Sequence, residues 1–169
     1  MAQAQDLYRS FFENAYDAAF IVDAETGMII ETNKEAENLM GYKQAELLKM
    51  HQTQLHPPEE KDRYAKLFKN HVSKKQAFEE DVLVQHKSGK RIHVSIRANV
   101  IKCGDREIIM GIFRDITKYK DIEEFLKTKI SSLEEVLNFI KGREERIITL
   151  KKEIDLLLKH LKKPSKYGY

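Results

Sequence analysis

The sequence predicts an α+β fold: a five-stranded antiparallel sheet with helices on one face, followed by a long C-terminal coiled-coil helix. Three observations carry this. Residues 18–32 hold two short apolar runs around a turn. From Ala77 the apolar period becomes two and persists through three further runs. After Thr117 a heptad pattern continues to Leu161.

In chain order, AQDLYRSFFEN (residues 4–14) places Leu7, Phe11 and Phe12 at helical spacing, which gives a short amphipathic helix. AAFIVDAETGMIIET then reads as a hairpin, with Ala18–Val22 and Met28–Ile30 flanking the turn residues Asp23 to Gly27. In NKEAENLMGYKQAELLKM, Asn33 is a good N-cap, Ala36, Leu39 and Met40 form one face, and Gly41 stops the helix. Pro57-Pro58 with Glu59 and Glu60 opens a further helix, in which Tyr64, Leu67, Phe68 and Val72 recur at three and four. Lys87-Ser88-Gly89-Lys90 and Cys103-Gly104-Asp105-Arg106 then divide residues 78–113 into three strands of an antiparallel meander. In its middle strand Ile92, Val94, Ile96, Ala98 and Val100 alternate with His93, Ser95, Arg97 and Asn99, giving one dry and one wet face.

The last strand enters helical sequence through Arg114-Asp115-Ile116-Thr117 with no Gly, Pro or Ser linker. Beyond it, Ile122, Leu126, Lys129, Leu133, Val136, Ile140, Arg143, Ile147, Leu150, Ile154, Leu157 and Leu161 are separated alternately by four and three residues. Ile147 and Ile154 fall at a, and Leu150 and Leu157 at d, the preference of a parallel two-stranded coil. Lys129, Arg143 and Gly142 interrupt the seam, the glycine at about 1 kcal/mol of helix propensity. The alternative is a helix packed back on its own domain, but a stripe of about 40 residues is longer than one small domain covers. The expected organisation is a helix over 1–14, a domain over 15–117, a coil over 118–163 and a polar tail over 164–169.

Of 169 residues, 41% are apolar and 34% charged, enough for one packed domain plus a long solvated element. A net charge of +3 points to neither nucleic acid nor a membrane surface. From Lys118 onward 13 basic and 9 acidic residues are interspersed, with no dense basic block like that of a zipper-type DNA binder. The single Cys103 excludes an internal disulfide, and no apolar run approaches the roughly 18 residues needed to span a bilayer. These features fit a cytoplasmic chain. The ending LKKPSKYGY, with its helix-stopping Pro164, reads as a natural stop.

FIVDAETGMIIETN, GYKQAELL, LHPPEEKDR, HKSGKRIHVSI and GIFRDIT follow one another over positions 5–117 in an order that resembles the PAS sensory domain. The helix after residue 117 looks like the signalling helix that commonly follows such domains. The resemblance implies a homodimeric signal-transduction module without enzymatic activity, in which a small cavity under the sheet, or the dimer surface, senses. It further implies that Asp115, Ile116 and Thr117 transmit the change, with Asp115 fixing the corner through an ion pair; the alternative for Asp115 is a plain turn residue. Thr117 is placed to cap the helix, with Asp121, Glu123 and Glu124 near its positive end.

Members of this family bind haem, flavins, small organic acids or nothing. No cysteine lies in KQAELLKMHQTQLHPP to attach a flavin, and the chain has no tryptophan. Arg63 or Tyr64 stands where oxygen-sensing members offer a haem-ligating histidine, and His71 lies two turns further on. His51 and His56 lack the acidic neighbour that would complete a metal set. His56 is expected to pack at the His-Pro corner and His51 at the surface, with His86 and His93 solvated. The expected occupant is therefore nothing, or a small apolar organic molecule, rather than haem or flavin, and no metal. The expected walls are Phe20, Val22, Leu67, Phe68, Leu83, Ile96, Ala98, Met110 and Ile112, with Ile109 and Phe113 as the alternative pair on the last strand. Leu83 stands near the position at which family members often carry an Arg, which argues against a carboxylate or flavin-phosphate ligand.

No Gly-rich phosphate loop, nucleophile-base pair, cyclase motif or helix-turn-helix is present, and His160 in LLLKHLKK lacks the acidic neighbour of a phosphoacceptor segment. The expected dimer seam is Ile122, Leu126, Leu133, Val136, Ile140, Ile147, Leu150, Ile154, Leu157 and Leu161, with the N-terminal helix as a candidate further contact and a signalling protein as a candidate partner. Two other readings stay open: a ligand-free interaction scaffold, and a fragment of a sensor kinase or cyclase.

Overall fold

The structure, a computed structural model, describes residues 2–168. Its elements are α1 (Ala2–Glu13), β1 (Ala18–Asp23), β2 (Ile29–Thr32), α2 (Lys34–Met40) and α3 (Gln44–Leu47), then two 3-10 turns (Gln52–Leu55 and Pro58–Glu60). They continue with α4 (Lys61–Lys74), β3 (Gln76–Gln85), β4 (Arg91–Cys103), β5 (Arg106–Asp115) and α5 (Thr117–His160). All strand pairs are antiparallel and the order across the sheet is β2-β1-β5-β4-β3. The chain divides into two compact units, residues 1–120 and 121–169.

In the first unit, alternation along the strands turns Phe20, Val84, Val94 and Phe113 into one core with Ala36, Met40, Leu47, Leu55 and Tyr64 from the helices and turns. The Phe20 and Phe113 rings meet at 4.8 Å between centroids. Asn33 does more than cap α2. Its Oδ1 accepts from Ala36 N–H (3.0 Å) and Ala19 N–H (2.9 Å), and its Nδ2 donates to Asp17 O (3.0 Å), so one buried amide stitches β1 to α2.

Gly41 ends α2 in the left-handed region (φ 71°), with its N–H on Glu37 O. A Cβ there would lie 2.1 Å from Nε2 of His86, whose Nδ1 is engaged by Ser88 at 2.8 Å. Gly41→Ala is therefore expected to lower stability by about 1–2 kcal/mol from backbone strain, with displacement of the imidazole adding to it; urea denaturation measures this.

In the second unit α5 runs unbroken through Gly142. Lys162 turns left-handed (φ 55°), and Lys163 N–H closes onto Leu158 O at 2.9 Å, so the helix stops just before Pro164. The tail then folds back. The buried Asp155 carboxylate accepts from the Ser165 hydroxyl (2.6 Å) and from Lys166 N–H (2.7 Å) and Tyr167 N–H (3.0 Å).

Candidate ligand cavity and output junction

Between the sheet and α4 lies a cavity of about 60 Å³. The strands contribute Phe20 and Val22, Ile96 and Ala98, and Ile109, Gly111 and Phe113. Helix α4 contributes Tyr64, Leu67, Phe68 and His71, and the preceding turn adds Gln52, Leu55 and His56. Six of the residues expected from the sequence therefore line it: Phe20, Val22, Leu67, Phe68, Ile96 and Ala98. Met110 and Ile112 lie on the opposite face of β5. Pairing sets Gly111 opposite both Phe20 and Ala98, so Gly111 and its second neighbours Ile109 and Phe113 face inward. Leu83 is half-buried and meets the wall through its backbone.

Gln52, Leu55, His56, Tyr64, His71 and Gly111 also line the wall, beyond the residues expected from the sequence. For His71 a signal was available, since positions 64, 67, 68 and 71 share one helical face. His56 is 6% exposed and stacks on Tyr64 with ring centroids 3.7 Å apart. Its Nδ1 is 2.8 Å from Leu83 O, and because a carbonyl only accepts, the proton is on Nδ1. Burial pushes the His56 pKa down to about 4, against the opposing pull of the Leu83 carbonyl. Leu83 N–H in turn donates to the Tyr64 hydroxyl (3.3 Å). His71 Nε2 lies 3.1 Å from Glu79 Oε1.

The wall is mostly apolar and no Lys or Arg is part of it. Drug-sized ligand sites begin at roughly 300 Å³, so neither haem nor flavin fits this cavity as packed. Among the described residues, no group of three or more His, Cys, Asp or Glu is placed to hold a metal.

At the end of β5, Asp115 Oδ1 accepts from Thr117 N–H (2.8 Å) and satisfies the first unpaired donor of α5. The ion pair at this corner is made by the neighbouring Arg114, which forks onto Asp17 at 2.7 and 3.1 Å. Ile116 N–H donates to His93 O (2.8 Å), and His93 N–H donates to Thr117 Oγ1 (3.3 Å). His93 Nδ1 and Lys120 Nζ both reach the Asp81 carboxylate, at 2.5 and 2.9 Å. Lys120 first, then His93, holds that carboxyl below the usual carboxylate range. Along α5, all ten apolar seam residues from Ile122 to Leu161 are exposed.

A family model described as PAS domain matches residues 17–118, more than half of the chain. The chain belongs to the PAS domain family. Solved PAS domains share the fold. One is a PAS domain of a protein from Colwellia psychrerythraea, 24% identical with a TM-score of 0.61, covering 68% of this chain and 98% of that one. A domain of the sensory box sensor histidine kinase/response regulator from Geobacter sulfurreducens is 27% identical, with a TM-score of 0.58 and coverage of 66% and 94%. A PAS domain from a two-component sensor histidine kinase is 14% identical, with a TM-score of 0.59 and coverage of 68% and 99%. A search of curated proteins finds no match. The PAS domain is a sensory module and not itself catalytic, and PAS domains commonly dimerise and interact with signalling proteins. No helix among the described residues is long and apolar enough to cross a membrane.

Proposed function

We propose that this PAS protein is a homodimeric signalling module in which a change in the cavity passes through Asp115-Ile116-Thr117 into a parallel coiled coil formed by α5. The observation that carries this reading is continuity. β5 supplies Ile109, Gly111 and Phe113 to the cavity and enters α5 after one residue, with the corner held by Asp115, His93 and Thr117. A flexible linker would absorb a small displacement of β5, whereas a bonded corner passes it into the helix. The partner for α5 is a second copy. Its exposed apolar residues repeat at four and three, with Ile at a and Leu at d where the seam is purest, so two identical helices bury each other's stripe.

The small cavity favours one second reading, a ligand-free scaffold whose domain and coil recruit a signalling protein. Native mass spectrometry with a visible absorbance scan separates the two. A dimer with additional bound mass supports the ligand sensor, and a clean apo-dimer supports the scaffold. A monomer would sink the coiled-coil reading in either form.

A further inference from the structure

The edge strand β3 slips against β4 between Glu79 and Val82: Glu79 pairs with Ile96 and Val82 with Val94, so three steps on β3 oppose two on β4. This is a β-bulge, and its residue Asp81 has φ 60°. A non-glycine residue in that region persists where its surroundings hold it there. Here the cavity wall holds both flanks. His71 grips Glu79 before the bulge, and His56 and Tyr64 grip the carbonyl and amide of Leu83 after it. The bulge residue faces the other way: the Asp81 carboxylate takes His93 Nδ1 and Lys120 Nζ, and Lys120 lies in the first turn of α5.

The geometry points to Asp81 as a positioning residue through which the state of the cavity sets the first turn of α5, by a route along the sheet edge that is separate from β5. This inference rests on the sensory reading above and adds the element that carries the change. An occupant that displaces His71, or the His56-Tyr64 stack, moves one flank of the bulge. A bulge has few intermediate geometries, so the shift reaches Lys120 as a change in where the carboxylate stands.

The test uses the full chain and needs no ligand. Leu67→Phe fills the cavity from α4, and Ala98→Val fills it from β4 should the first variant not fold. Asp81→Asn tolerates the left-handed backbone and keeps one acceptor oxygen, so it removes the charge without removing the bulge. The readout is the amide chemical shifts of Ile116 to Lys120, with those of Ile109, Gly111 and Phe113 as reference. Filling the cavity is expected to move both sets in the wild-type background. With Asp81→Asn the movement at Ile116 to Lys120 is expected to fall at least about fivefold, while the β5 set still responds. Undiminished movement at Ile116 to Lys120 would overturn the inference and leave the β5 relay standing. If filling the cavity moves nothing at Ile116 to Lys120 even with Asp81 present, the relay reading falls as well. A purely structural Asp81 would lower the melting temperature and leave the response to filling intact, which also overturns the inference.

Discussion

Replacing Ile147 and Ile154 together with Asp is expected to leave the chain monomeric, on the proposed reading that α5 pairs with a second copy. α5 is a 44-residue helix, and at about 1.5 Å per residue it runs roughly 66 Å. Ile147 is 44% exposed and Ile154 is 40% exposed, so each leaves apolar surface uncovered in the single chain. In a two-stranded coil each a-position isoleucine is worth about 1.5–3 kcal/mol when buried. The proposed dimer would lose four of them and would have to bury four carboxylates in their place. The dissociation constant should rise on the order of 10⁴-fold or more. Sedimentation equilibrium reads this directly. Leu156→Asp is the control: Leu156 is more exposed, at 59%, but lies off the seam, at the c position next to Asp155, and should leave the proposed dimer intact. A dimer that survives both seam substitutions would place the association elsewhere.

Acid should destabilise the PAS domain through His56. The folded ring releases its proton near pH 4, while an unfolded histidine holds it to about 6.5. Between those values the unfolded chain binds more protons, so stability is fully present above pH 6.5 and falls as pH drops towards 4. The gap amounts to about 3 kcal/mol. The structural reason is that the stacked ring is buried with its Nδ1–H spent on Leu83 O, and this burial outweighs the pull of the Leu83 carbonyl and of the Glu60 carboxylate towards the protonated form. Carboxylates with lowered pKa values, such as Asp81, push stability the same way at lower pH, so a variant is needed to isolate the histidine. His56→Gln should be less stable than wild type at pH 7 yet lose about 3 kcal/mol less on going to pH 4, as measured by urea denaturation across the pH series. An unchanged pH dependence would remove His56 as the cause.

Much of this molecule is legible in its residues because single strong signals mark it. Asn33 and Gly41 bracket α2 as a cap and a stop should, and the alternation of β4 assigns its faces without ambiguity. β5 resists the same reading because Ile108 to Phe113 is apolar on both faces, and only the pairing of Gly111 with Phe20 and Ala98 decides between the two sets. The bulge left a trace in the run Glu79-Glu80-Asp81, where alternation fails, yet the partners that define it lie 8 to 39 positions away, at His71, His93 and Lys120. The junction divides the same way. Its place between β5 and α5 follows from the abrupt change of period, whereas the bonding of Ile116 and Thr117 to His93 depends on β4 lying beside it.

The kink in β3 has one more effect. β3 is an outer strand of the sheet, and outer strands offer unpaired backbone groups to any strand that drifts alongside. An extra residue there breaks the straight ladder, and three consecutive acids repel a second copy presenting the same edge. On the proposed reading that two copies associate through α5, the same edge keeps those copies from polymerising through their sheets.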